Sequence, residues 1–475
     1  MSLIKHVALK EIREIVRDGR MRVLAVLVLV LAFAALAFGA QQSLRSQHER
    51  EHASENAEAQ WEGQGDKNPH VAAHYGTHLF APTSVATAID PGVSDFLGRS
   101  VRIEAHRRNL ASHSAAQDSG SLKRLGAFSV ASVLLQLVPL LLIALGYGMW
   151  SLERERGTLR QVLSTGINLG TLFWGKAIAL GLVVGVMLFP AAILIVLALW
   201  WLGGGDVSAW IRIFFLGLGY STYFAIFGAL TLAASAMARS SRGALVAMVG
   251  AWGFFCLVTP RVATEFAALA VPLPSSAELS RTATKALEKG LDGTREREVE
   301  IEAIANDLMA EQGMSDMGMM VDENIVNGIG LQAEAQWENE VFEAIIRDLD
   351  DQISSQEAAV SWLGALSPYI AMRSLSAGLS GTDFAHHRHF TEYAELWRQK
   401  FIEQLNAAFA ENAGDQGWDY KAGPELWENA PAMDYQAPGP FFALHTHAYS
   451  IFCLLLWLLA TVALAIRAAT RVRVV

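Results

Sequence analysis

Apolar residues in this chain gather into six long runs separated by strongly polar stretches. The runs are Val23–Ala40, Ala127–Trp150, Ala177–Leu202, Trp210–Ala236, Ala244–Ala270 and Tyr449–Ala468. A helix needs about 20 apolar residues to cross a hydrocarbon core about 30 Å thick, and each run is long enough. The last, IFCLLLWLLATVALAI, is apolar around its whole circumference, as contact with lipid requires. The fifth is interrupted near its end by Pro260, Arg261 and Glu265. Charges at that depth mark a helix leaving the hydrocarbon or facing a protein-lined cavity. The pattern predicts an all-α membrane protein with six transmembrane helices.

The polar stretches are unequal. Two large insertions, 41–124 and 271–445, make up more than half of the chain, enough to bury a core of their own. In the second, SRTATKALEKGLDGTREREVEIEAIANDLMAEQ and LQAEAQWENEVFEAIIRDLDDQISSQEAAVSWL have helical spacing and abundant Ala, Glu and Leu. Strand-like alternation is scarce, so the expectation is a mainly helical extramembrane domain. The stretch VSWLGALSPYIAMRSLSAGLSG is too broken to span, and reads either as an interfacial segment or as a buried helix of that domain. Proline and glycine in AGPELWENAPAMDYQAPGPFFALHTH predict an irregular return to the membrane.

Charge orients the spans. The segment 1–22, the loop 151–176, the loop between the fourth and fifth spans and the tail 469–475 are rich in Lys and Arg, whereas the second insertion is strongly acidic. The positive-inside rule then places both termini in the cytoplasm and both insertions outside. Composition agrees with a membrane protein: of 475 residues, 52% are hydrophobic and only 18% charged. Both cysteines, Cys256 and Cys453, fall within apolar runs and imply no disulfide framework. The first apolar run is long enough to span and lacks a cleavage site, so it reads as a retained anchor. In LIKHVALKEIREIVRDGRMR, residues Leu3, Val7, Ile12 and Ile15 share one helical face, the pattern of a basic amphipathic helix beneath an anionic leaflet.

The stretch GTLFWGKA, Gly170–Ala177, has the G-x-x-x-x-G-K skeleton of a phosphate-binding loop. Such a loop needs a hydroxyl after the lysine to hold Mg²⁺ and a buried strand before the glycines. Ala177 has no hydroxyl, and a long apolar helix follows. The chain itself is therefore expected to bind no nucleotide. Upstream, Glu153, Arg154, Glu155 and Arg156 precede GTLRQVLSTG, a short amphipathic helix in which Leu159, Val162 and Leu163 pack while Thr158, Arg160 and Gln161 face out.

These residues resemble a family. E-x-E-x-G-T-L-x-x-x-L-S-T-G followed by G-K at the next span is similar to the signature of ABC-2 type transporter permeases, and K-E-I-R-E-I-x-R-D-x-R is similar to the helix that opens them. NPHVAAHYGTHLFAP, IDPGVSDFLGRSVRIEAHRRN and LSGTDFAHHRHF resemble a bacterial subgroup with a large outer domain of unknown function. The resemblance implies a type V exporter-like transmembrane domain in the bacterial inner membrane. It also implies that the loop after the second span is a coupling helix docking on a separate ATPase subunit. Carried over residue by residue, that role falls on Glu153, Glu155, Gly157, Thr158, Leu159, Ser164, Thr165 and Gly166, with Gly175 and Lys176 marking re-entry and Lys176 anchoring near the headgroups. Expected partners are two copies of the ATPase, which would carry ATP and Mg²⁺, a second permease protomer, identical or related, membrane lipids and a periplasmic protein. No nucleic acid and no cofactor bound by this chain are expected.

Candidate chemistry lies in the insertions. His70, His74 and His78 recur at i, i+4 and i+8, and His386, His387 and His389 cluster in HHRH. Imidazoles one turn apart can share a metal, although Pro69 and Gly76 argue against a clean helix through the first triplet. Hydrogen-bonding surface histidines are the plainer reading. Asp90, Glu104 and His106 could serve acid–base hydrolysis, but no nucleophile or metalloprotease motif accompanies them, and a structural cluster fits better. Three functions follow: the permease subunit of an ATP-driven exporter, a mechanical transmitter to a periplasmic partner without transport, or a membrane-anchored enzyme or sensor. The coupling loop disfavours the last.

Overall fold

The computed structural model describes residues 2–114, 128–203, 206–311, 323–431 and 433–472. The predicted boundaries at 124 and 127 and the end of the tail lie outside the described residues. Six described helices are long and apolar enough to cross a membrane: Met21–Glu62, Val130–Glu155, Leu169–Leu202, Val207–Met237, Ser241–Ala270 and Ala448–Thr470. Helix Ser2–Arg17 precedes them. The fourth and sixth spans pack along each other at the centre of the bundle.

The first helix does not stop where its apolar run does. It continues for 44 residues, Gly19–Glu62, which at 1.5 Å per residue is about 66 Å, twice the hydrocarbon thickness. The residues after Ala40 are mostly Gln, Glu, Ala, Arg and Ser, none of which breaks a helix, and Gly63 and Gly65 are the first that do. Hydropathy marks where lipid ends and is blind to a helix that goes on in water.

Prolines in two spans are accommodated by wider turns. π-helical turns at Val133–Leu137 and Phe254–Val258 precede Pro139 and Pro260 respectively. A proline removes one backbone donor and crowds the carbonyl four residues earlier, and the widened turn relieves both. The carbonyls so exposed find side-chain donors: Tyr223 Oη on Leu135 O at 2.8 Å, Trp252 Nε1 on Gln136 O at 2.9 Å, Ser367 Oγ on Phe255 O at 2.9 Å. In a bilayer such donors are obligatory. The fifth span therefore continues past Pro260 to Ala270, with Arg261 and Glu265 exposed.

The extramembrane domain is mainly helical, as its composition predicts, but it carries a small sheet that scarce alternation conceals. Strands β1 (Thr77–Phe80), β2 (Ser100–Glu104) and β3 (Arg107–Arg108) run antiparallel in the order β1-β2-β3. The sheet packs with helix Phe384–Asn412 around Trp61, Ile103, Phe401, Leu405 and Trp427. The end of the first helix enters this core: the Trp61 ring lies 4.7 Å from Phe401, and its Nε1 donates to Trp427 O at 3.1 Å. Helices Ser276–Lys289, Arg297–Glu311 and Glu323–Trp362 form a second unit around Trp337 and Val341. Residues 360–381 follow neither reading: helix Pro368–Ser380 is buried, but it packs on the fourth and sixth spans and joins the core of the bundle, not that of the extramembrane domain.

Candidate functional site

The G-K of the deceptive phosphate loop is a seat for the N-terminal helix. Gly175 faces Val7, and a Cβ there would stand 2.4 Å from Val7 Cγ1, so only glycine allows the approach. One residue on, the Lys176 ammonium is wholly buried, 2.7 Å from Glu11 Oε1 and 2.9 Å from Glu153 Oε2. It also lies 5.4 Å from the centre of the Trp150 ring. Lys10 completes the group, 2.5 Å from Glu153 Oε1 and 3.1 Å from Glu11 and Glu14. Partial burial pulls the Lys10 pKa down, but Glu11 and Glu153 outweigh it and the pKa is raised. A buried ammonium is expensive to desolvate and persists only where carboxylates surround it. Lys176 is therefore no headgroup anchor: its stem runs inward because Gly175 draws the N-terminal helix over it. Sequence reading missed Lys10 and Glu11; the signal available was a K-E pair on an otherwise apolar helical face.

The loop Ser151–Gly166 is held by the same kind of internal pairing. Glu153 belongs to the lysine cluster. Glu155 caps the fifth span, accepting from Ser241 N at 2.9 Å and Ser241 Oγ at 2.8 Å. Arg154 donates to Ala236 O at 3.1 Å and to Ala238 O, closing the carbonyl end of the fourth span. Three of the four charges in E-R-E-R thus bind their own chain. Gly157 takes φ 73° to turn the backbone, helix Thr158–Ser164 follows, and Gly166 at φ 83° ends it. Leu159 is buried; Arg156, Thr158, Arg160, Gln161, Ser164 and Thr165 are exposed. The outcome is a short polar helix rigidly mounted at the end of the bundle where the N-terminal helix lies.

The predicted histidine triplets do not assemble as spaced. His70 and His74 lie on helix Pro69–Tyr75, capped by Asn68, with their Nε2 atoms 3.1 Å apart. Gly76, at φ 63°, then ends the helix, and His78 moves to β1 opposite Arg102. The third imidazole is His106, from the β2–β3 turn. His386 and His447 both bond Asp383, at 2.5 and 2.7 Å, while His389 bonds Tyr435 at 3.1 Å. Burial raises Asp383, but the two imidazoles outweigh it and hold it well below the usual carboxylate range. His387 is pushed down to about 4 by burial. No three-residue ligand group includes His386, His387 or His389 among the described residues.

The acid–base set separates as well. Asp90 is buried, accepts from Gly92 N at 2.9 Å and Ser376 Oγ at 2.5 Å, and burial raises its pKa. Glu104 instead pairs with Arg102 at 2.9 Å, and His106 with Glu338 at 2.9 Å. Asp90 therefore fastens the extramembrane domain to helix Pro368–Ser380 and, through Ser376, to Tyr220 of the fourth span at 2.9 Å.

Six spans, a rigid polar loop at one end and a helical domain at the other define a multi-pass membrane protein built around a bundle. Residues 6–472 match the family described as ABC-2 family transporter protein, and the chain belongs to it. It is accordingly a membrane permease component of an ABC transporter, a type of subunit that is typically non-catalytic and works with an ABC ATPase subunit. Among curated proteins, none matches the sequence.

Proposed function

We propose that this permease couples ATP hydrolysis, by two copies of a separate ATPase holding ATP and Mg²⁺, to export across the bacterial inner membrane. In this reading it works as a homodimer or with a related protomer, both termini are cytoplasmic, and helix Thr158–Ser164 docks on the ATPase. The observation that carries the reading is the mounting of that helix. Gly157 and Gly166 turn it out, Leu159 seats it, and Glu153, Arg154 and Glu155 fix its flank to three spans and the N-terminal helix. A loop that merely connected two spans would need no such fixture. Thr158, Arg160, Gln161 and Ser164 supply the contact surface, with Glu153 and Glu155 as positioning residues.

The test is co-purification with the co-expressed ATPase. Arg160→Glu with Gln161→Glu should reduce recovery of the ATPase at least tenfold while the permease stays folded. Wild-type recovery and ATP turnover would remove the coupling role from this surface.

A second reading, mechanical transmission to a periplasmic partner, draws support from the unbroken first helix. Gly19–Glu62 runs unbroken from just after the N-terminal helix to Trp61 in the core of the outer domain. Ser54→Pro would break that helix outside the bilayer. Loss of ATPase-linked function with normal assembly favours transmission; unchanged function favours export alone.

A further inference from the structure

The turn between β2 and β3 sends a histidine to a place where two others already meet. His70 and His74, one helical turn apart, present Nε2 atoms 3.1 Å apart. Two nitrogens bound to one tetrahedral ion at 2.0–2.1 Å stand about 3.3 Å apart, so the pair has the bite of a transition-metal chelate. The His106 ring centre lies 5.3 Å from that of His70 and 4.8 Å from that of His74. One ligand atom from each of the three falls within 4.8 Å of the others. We propose that His70, His74 and His106 form a binding site for a divalent transition-metal ion of the zinc type.

The surroundings of each ring select the tautomer a metal needs. His106 Nδ1 is bonded to Glu338 Oε2 at 2.9 Å, which leaves Nε2 as its ligand atom. A carboxylate behind a ligating imidazole orients the ring and makes it a better donor. His70 Nδ1 is buried without a partner among the described residues, and so is Oδ1 of Asn406, whose side chain lies against His70. A proton on His70 Nδ1, on the side of the ring away from His74, leaves Nε2 for the ion. Glu334 and Glu338, grouped with His106, offset the charge of the ion.

His106 has φ 61°, a conformation that most residues with a side chain avoid. That turn brings this imidazole beside the other two. A contrast comes from His48 and His52 on the first helix, which have the same 3.1 Å Nε2 spacing. They belong to no three-ligand group among the described residues. Helical spacing alone makes the pair; the third ligand from another element makes the site. Three protein ligands leave a fourth position for water or an incoming group, and the ion would tie helix Pro69–Tyr75 to the sheet and, through Glu338, to helix Glu323–Trp362.

The test uses the full chain in detergent, stripped with a chelator and dialysed. Zn²⁺ titration should give one ion per chain and a higher thermal midpoint, and Co²⁺ should develop the intense visible absorption of a four-coordinate site. His74→Ala, at an exposed position, should weaken Zn²⁺ at least tenfold, as should His106→Asn, chosen because Asn tolerates positive φ. Glu338→Gln should cost about 10- to 100-fold. His48→Ala should change nothing. Absence of stoichiometric Zn²⁺, full affinity in folded His74→Ala and His106→Asn, or loss of binding in His48→Ala would each overturn the proposal.

Discussion

Lys176 and Glu11, far apart in sequence, meet at 2.7 Å with the lysine side chain 0% exposed and the glutamate 5%. This pair fastens the N-terminal helix to the third span at the point where the proposed coupling helix begins. Removing one member of a buried pair leaves the other charged and unpaired, at a cost of about 3–5 kcal/mol. Lys176→Ala should therefore lower the thermal midpoint in detergent and release the N-terminal helix to proteolysis. Adding Glu11→Gln to that variant should recover part of the loss, because one stranded charge disappears. An unchanged midpoint would mean that the cluster is not a fastening. Binding of a nucleotide analogue by the purified permease alone, lost in Lys176→Ala, would revive the phosphate-loop reading of Gly170–Ala177.

The neighbouring glycine makes a sharper prediction. Gly175→Ala sets a methyl 2.4 Å from Val7 Cγ1, which forces the helix to move. Overpacking of this kind costs about 1–3 kcal/mol. Val7→Ala alone opens a void, yet the double variant should be more stable than the sum of the two predicts, since the new methyl occupies space vacated by the old ones. Additive effects in thermal melts of the four proteins would show that the two positions do not touch.

Much of the bundle was legible in the sequence because a bilayer imposes one rule, about 20 apolar residues per crossing, that composition alone reveals. The loop helix was legible too, since Gly157 and Gly166 bracket an amphipathic turn. What local periodicity does not show is the internal pairing of the loop charges. Glu153 reads identically whether it meets an ATPase or Lys176, because the lysine arrives through a packing event, Gly175 against Val7, that local periodicity does not encode. The histidines failed for the same reason: i, i+4, i+8 spacing named His78, while a turn residue with positive φ, His106, fills the third place.

Orientation is open to direct chemical test. Cys256 and Cys453 are both buried and free, so replacing them with alanine leaves a background for single cysteines at Ser164 and Ser355, both exposed. The charge asymmetry of the loops predicts that an impermeant thiol reagent outside spheroplasts reaches position 355 and spares 164 until the membrane is opened. The reverse labelling would invert the molecule and put the proposed coupling helix on the wrong side for any ATPase.

The extramembrane domain should lose stability in acid through His387. Burial pushes this imidazole down to about 4 from its ordinary value of 6.5. The depressed group folds in its neutral form, so its contribution is fully present above the unfolded pKa. It fades as pH falls from about 6.5 and is gone below the folded value of about 4. By the usual conversion the shift amounts to roughly 3 kcal/mol. The ring lines a cavity of about 320 Å³ between the domain and the third and fourth spans, where Arg212 and Asp383 also stand. His387→Gln, which stays neutral at every pH, should flatten the acid limb of thermal stability between pH 6.5 and 4 while changing little at pH 7.5. Melting curves of the two proteins across that window decide the matter. Parallel acid limbs would mean that other carboxylates and imidazoles, not His387, carry the loss.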